Sequence, residues 1–138
     1  MKKSSELVAI IVLLHTIFSC LYHYAHEKID IYWTFAANGA VIALLIAGPL
    51  VAAVLFYTRY RRPGAIIFLG TVPAALVFNF YVRYSGPLPQ MPPEQLSATW
   101  QVLYHGAFFL LLIVELIATV VGVKLLREVH AQNTELQN

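Results

Sequence analysis

Four long apolar stretches, each ended by a short polar break, constrain this chain more than any other feature. They run over 7–25, 35–57, 65–82 and 100–123 and leave a polar C-terminal stretch at 124–138. A helix that crosses a bilayer needs about 20 predominantly apolar residues. Four of them use most of the 138 residues, and no extramembrane domain fits in the rest. Charged residues make up only 12%, against about 25% in soluble domains. The chain therefore lacks the polar surface that a water-facing exterior requires. A β-barrel is disfavoured, because its strands alternate apolar and polar residues over about ten positions and these runs are continuous. The expected fold is a single all-α domain: an integral membrane four-helix bundle.

The basic residues set the expected orientation. Lys2, Lys3, Arg59, Arg61, Arg62, Lys124 and Arg127 fall on one side, and Lys28 and Arg83 on the other. Lys and Arg are retained on the cytoplasmic side, so both termini and the turn marked by Arg59, Arg61 and Arg62 are expected there. The first loop and the segment Ser85 to Pro93, with its four prolines, are expected on the outer side of an inner or plasma membrane. Lys2 and Lys3 before an apolar run, with Ser19-Cys20 behind it, superficially resemble a cleaved leader. Phe18 stands where such a site wants a small residue, so an uncleaved first span is expected. Pro63-Gly64 is read as the turn between spans two and three, and the residues after Val123 as a fraying tail. The lone Cys20 can form no internal disulfide or dithiol centre.

One internal repeat is visible. Pro49 and Pro73 are each followed seven residues later by Phe-Tyr-x-Arg-Tyr and then, after two more residues, by another proline. In successive antiparallel spans the two copies are inverted, as in transporters, although span ends in general favour aromatics and a snorkelling arginine.

Ionisable groups inside the apolar blocks are the best functional pointers, since a charged side chain at mid-span costs roughly 2.5–3.5 kcal/mol on insertion scales. Glu115 lies just past the middle of span four and His15 near the middle of span one. Counted inward from the shared outer side, they fall within about one and a half helical turns of each other. They are expected to form a buried polar pair or proton path. His15, Ser19, Tyr22 and His26 recur at helical spacing, as do Gln101, Tyr104, Phe108, Glu115 and Thr119. Two such stripes make a polar seam whose outer end carries His23, His26 and His105, with Tyr22 and Tyr104 beside them.

Histidine is the commonest metal ligand and also ligates haem. His23, His26 and His105 are thus the candidate ligands of a metal ion or haem, with Tyr22 and Tyr104 lining the cofactor. For haem, His105 would pair with His15 or His23. Asn38 and Asn79 read as interhelical hydrogen-bonding residues, Gly39, Gly48 and Gly70 as points of close helix approach, and Pro49 and Pro73 as kinks. Trp100 reads as an interface anchor.

No phosphate loop, nucleophilic triad or basic face for nucleic acid is present, and whether the chain is an enzyme stays open. Three functions fit. The first is a membrane protein holding a metal, haem or redox cofactor at the outer histidines. The others are an accessory subunit of a larger membrane complex and a proton-coupled or small-molecule transporter component. The bilayer is the expected partner, joined by another membrane protein or a second copy of the chain.

Overall fold

The computed structural model describes residues 2–28, 39, 42–84 and 97–135. Every regular element among them is helical. Helix α1 spans Lys2–Lys28. A π-helical segment, Ile42–Ala47, runs directly into α2, Gly48–Phe56. Helix α3 spans Arg61–Tyr84 and α4 spans Ala98–Glu135. Three of these carry stretches long and apolar enough to cross a membrane: Ser4–Ala25, Arg61–Tyr81 and Ala98–Ala131. The second expected span is represented by Ile42–Phe56, and its first residues, 35–38, 40 and 41, lie outside the described residues. So do Asn38 and the proline-rich segment 85–93.

The helices follow from the sequence by period. On α1 the buried positions Val8, Ile11, Val12, His15, Ser19, Tyr22 and Ala25 recur every three or four residues, which puts them on one face. The opposite face exposes Leu7, Ile10, Leu13, Leu14, Ile17 and Leu21. On α3 the buried set is Ala65, Phe68, Val72, Ala75 and Asn79. The exterior of the bundle is thus aliphatic, while Ser5, His15, Ser19, Asn79 and Glu115 are buried. Water would select the reverse distribution, and a lipid exterior accepts this one.

Helix α4 occupies the middle, packed against α1 on one side and α3 on the other, and α2 packs on α3. Neighbours run antiparallel. Tyr24 near the end of α1 meets Trp100 near the start of α4, ring centroids 5.8 Å apart. Ser5 Oγ near the start of α1 donates to the carbonyl oxygen of Phe56 at the end of α2 (3.2 Å), filling one of the acceptors that a helix C-terminus leaves open. One end of the bundle therefore carries Tyr22, Tyr24, Trp100 and Tyr104. The other carries Arg59, Arg61 and Arg62 with Lys124 and Arg127.

The reversal between α2 and α3 is made by Tyr57–Tyr60 and not by Pro63-Gly64. The Tyr57 and Thr58 amides donate to Val54 O and Leu55 O (both 3.1 Å), and the Tyr60 amide to Thr58 Oγ1 (3.1 Å). Pro63 sits in the first turn of α3, where its missing N–H would have had no intrahelical acceptor. The repeat splits for the same reason: Tyr57–Tyr60 forms a turn, whereas Phe80–Tyr84 is helix. Pro49 also differs from Pro73. The wide turn Ile42–Ala47 immediately precedes Pro49, where a proline can neither donate to nor clear the carbonyl of Leu45 in α geometry. Pro73 lies inside a continuous α3.

Helix α4 continues past Val123 to Glu135 instead of fraying. Leu125 is buried among Val8, Phe56 and Ala65, and Leu126 packs against the same cluster, so this stretch has an apolar face to anchor it.

Among the expected close approaches, Gly48 alone is one. An added Cβ at Gly39 or Gly70 meets nothing within 4 Å. At Gly64 it would lie 3.1 Å from Leu55 Cβ and 3.2 Å from the Ala52 carbonyl oxygen, and at Gly122 3.0 Å from Leu69 Cδ2. Gly70→Ala is therefore expected to be neutral or to stabilise by up to about 1 kcal/mol, the helix-interior cost of glycine. Gly64→Val is expected to destabilise by about 1–3 kcal/mol, because rigid backbone opposes it. Detergent unfolding of the two variants checks the sign: equal effects would mean that α2 and α3 do not approach at Gly64.

Candidate functional site

Three buried side chains from three helices meet on one carboxyl oxygen. Glu115 Oε1, on α4, accepts from Asn79 Nδ2 on α3 at 2.9 Å and lies 3.3 Å from His15 Nε2 on α1. Relative exposure is 0% for Glu115 and Asn79 and 1% for His15, so no solvent screens the cluster. From Glu115 to Arg127 is twelve residues of α4 and back to Trp100 is fifteen, about 18 Å and 22 Å at 1.5 Å per residue. The carboxyl group thus sits near the middle of the apolar zone.

The helical phases explain the meeting. His15 continues the inward stripe of α1, Asn79 that of α3, and Glu115 follows Tyr104, Phe108 and Leu111 on the buried side of α4. Thr119, one turn beyond Glu115 on the expected polar seam, turns its hydroxyl back onto the Glu115 carbonyl oxygen (2.8 Å) and contributes nothing across the helix interface through that bond.

The cluster is only partly satisfied within the protein. Among the described residues, His15 Nδ1, Thr16 Oγ1, Ser19 Oγ, Asn79 Oδ1 and Glu115 Oε2 are buried with no hydrogen-bonding partner. Most buried polar atoms in proteins are paired, and in hydrocarbon an unpaired one costs several kcal/mol. Five such atoms on the cluster and on the two α1 residues next along from His15 mark the place where this bundle departs from simple packing.

The surroundings of the cluster are unlike at its two sides. Toward the arginine end lie Val8, Ile11, Val12, Phe68, Val72 and Ala118, one hydrophobic cluster. Toward the tyrosine end comes Ser19, then Tyr22 and Tyr104, whose hydroxyl oxygens are 3.4 Å apart and whose rings stack at 5.2 Å and 23°. Phe108 packs on Tyr22 with centroids 5.7 Å apart. The tyrosine pair and Ser19 thus lie on one side of the cluster, and Thr119 and the buried Ser5 on the other.

A hydrogen shared between His15 and Glu115 can reside on the imidazole, giving an ion pair, or on the carboxyl, giving two neutral groups. Glu115 Oε2 and His15 Nδ1, the remaining polar atoms of the pair, are buried with no hydrogen-bonding partner among the described residues.

The outer histidines are arranged differently. His23 is half-buried, and His105 is exposed with its ring 5.3 Å from that of Tyr104. His26 belongs to α1, but its side chain lies outside the described residues. Among the described residues no three His, Cys, Asp or Glu side chains converge as metal ligands would. Tyr22 and Tyr104 pair with each other, and His15 is engaged with Glu115. Asn79 was expected as an interhelical hydrogen-bonding residue, and its bond to Glu115 joins α3 to α4. The role was legible in the sequence, and the partner was not. Arg59 stacks over Tyr60 at 5.1 Å and donates to its hydroxyl (2.9 Å). No known family model, curated protein or solved structure matches the chain.

Proposed function

We propose that the chain is a four-span membrane protein, with both termini in the cytoplasm, whose Glu115–His15–Asn79 cluster takes up and releases a proton as part of a proton-coupled carrier. The observation that carries this reading is a mid-depth carboxyl group with one oxygen bonded to side chains from two other helices and the other oxygen without a partner among the described residues. Ionisable groups at this depth are rare, and proton relays are among their main uses. A purely structural role would favour full satisfaction of the network, since a half-satisfied buried network is worse than an apolar core. Asn79 orients the carboxyl group, His15 is the alternate seat of the proton, and Ser19 with the Tyr22–Tyr104 pair supplies the polar route to the outer end. The alternating direction of the helices and the gathering of Arg59, Arg61, Arg62, Lys124 and Arg127 at one end support the orientation.

The test is infrared difference spectroscopy on the reconstituted protein as pH is stepped. Wild type is expected to show a carboxyl C=O band that grows and fades with pH, and Glu115→Gln, which keeps the volume, is expected to lack it. If no band assignable to Glu115 titrates, the pair is structural and the chain is better read as an accessory subunit.

A further inference from the structure

A second site lies at the opposite end of the bundle from the tyrosines. Where the start of α3 passes the end of α4, a cleft of about 480 Å³ is lined by Arg62, Ile66, Leu126, Arg127, His130 and Ala131. We infer that this cleft binds the headgroup of an anionic phospholipid, with Arg62 and Arg127 on the phosphate and the first part of an acyl chain along Ile66 and Leu126.

Three observations carry the inference. First, the lining is of two kinds: two guanidinium groups and an imidazole, and beside them aliphatic side chains, Ile66 being 54% exposed. A free phosphate ion would use only the first kind, whereas a phospholipid uses both. Second, among the described residues no acidic side chain lines the cleft. Glu128, the carboxylate of that helical turn, lines the two neighbouring clefts, one with Ser4, Ser5 and Arg61 and the other with Lys124 and Arg127. Third, the cleft sits where the apolar faces of α3 and α4 give way to basic residues, the level at which headgroups lie. Basic pockets between helices at such a boundary suit anionic headgroups, and arginine meets a phosphate with two parallel N–H donors. A phosphodiester with one negative charge, as in phosphatidylglycerol, matches this set. The site is independent of the Glu115 cluster, so either can fail without the other.

The experiment is a titration of the full-length protein in neutral detergent, read by native mass spectrometry. The ligands are short-chain phosphatidylglycerol, short-chain phosphatidylcholine and inorganic phosphate. Wild type is expected to bind phosphatidylglycerol in preference to phosphatidylcholine, with inorganic phosphate a poor competitor. Arg62→Ala/Arg127→Ala is expected to weaken phosphatidylglycerol binding about thirtyfold, each basic residue near an anionic surface contributing roughly fivefold. Arg62→Lys/Arg127→Lys retains the charge and shows that loss in the alanine variant is not misfolding, which circular dichroism checks directly. Arg59→Ala is the decisive control, because it removes an arginine of the same turn region that is engaged with Tyr60 and lies outside the cleft. The inference is overturned if Arg59→Ala reduces binding as much as the double variant does, if phosphatidylcholine binds equally, or if inorganic phosphate displaces the lipid at comparable concentration.

Discussion

Glu115→Ala is expected to destabilise the folded bundle by about 2–4 kcal/mol, measured by denaturant-driven unfolding in mixed micelles. The substitution removes the acceptor of both Asn79 Nδ2 and His15 Nε2. Each orphaned buried donor costs about 1–3 kcal/mol in a water-soluble protein. In a membrane the unfolded helices also find partners, and single interhelical hydrogen bonds average only about 0.6 kcal/mol. The expected value lies above that average because two polar groups are stranded at once, both fully buried, and because the lost side chain leaves a cavity. Glu115→Gln is expected to cost about 1 kcal/mol or less, since its amide oxygen still accepts from Asn79 and its volume is kept. The two variants thus separate two properties of one residue. The alanine change weakens the fold, and the glutamine change removes the exchangeable proton while the fold persists. An alanine variant within 0.5 kcal/mol of wild type would mean that the three side chains are not in contact.

Gly48→Ala is expected to cost about 1–3 kcal/mol, the range for overpacking a tight interface. An added Cβ at position 48 collides with Thr71 Cγ2 and stands 2.9 Å from Thr71 Cβ. The second contact decides how rescue works. Trimming Thr71 to alanine removes Cγ2 but leaves its Cβ in place, so the relief is partial. Thr71→Gly removes both atoms, and Gly48→Ala/Thr71→Gly is expected to recover most of the loss. Thr71 also donates to the Ile67 carbonyl oxygen (2.8 Å), a bond within its own helix whose loss is minor beside the steric term. If Gly48→Ala unfolds at the wild-type midpoint, α2 and α3 are not packed at this position.

The parts of the architecture that depend on period and length were legible in the chain. Unbroken apolar runs can only be helices in lipid, since every backbone group must be bonded within its own segment, and the runs around His15, Phe68 and Glu115 are such helices. The meeting of His15 with Glu115 followed from counting inward from the side where the first helix ends and the last begins. Asn79 escaped the same count. It lies only three residues from the expected end of its span, so by depth it belonged near the surface. The 13 residues of α4 that follow Gly122 extend that helix along the start of α3, and this shifts which depths coincide. Nothing in the residues after Val123 signals that overlap except Leu125, Leu126 and Val129, whose spacing is short enough to pass for chance. Close approaches were misplaced for a related reason. Which glycine faces a neighbour depends on helix phase, and Gly70 falls on the outer face of α3 while Gly64 and Gly122 fall on contacts. Of the outer histidines, His23 and His105 are described and the side chain of His26 is not.

The wide turn before Pro49 has a consequence for movement. Relative to α geometry, Ile42–Ala47 holds chain in excess, and closing it to ordinary pitch would rotate everything N-terminal to it by about 100° for each residue absorbed. Pro49 blocks that excess from passing into α2, because its ring cannot take up an ordinary α position behind a tightened turn. The change in pitch therefore falls at Gly48, the residue that packs against Thr71.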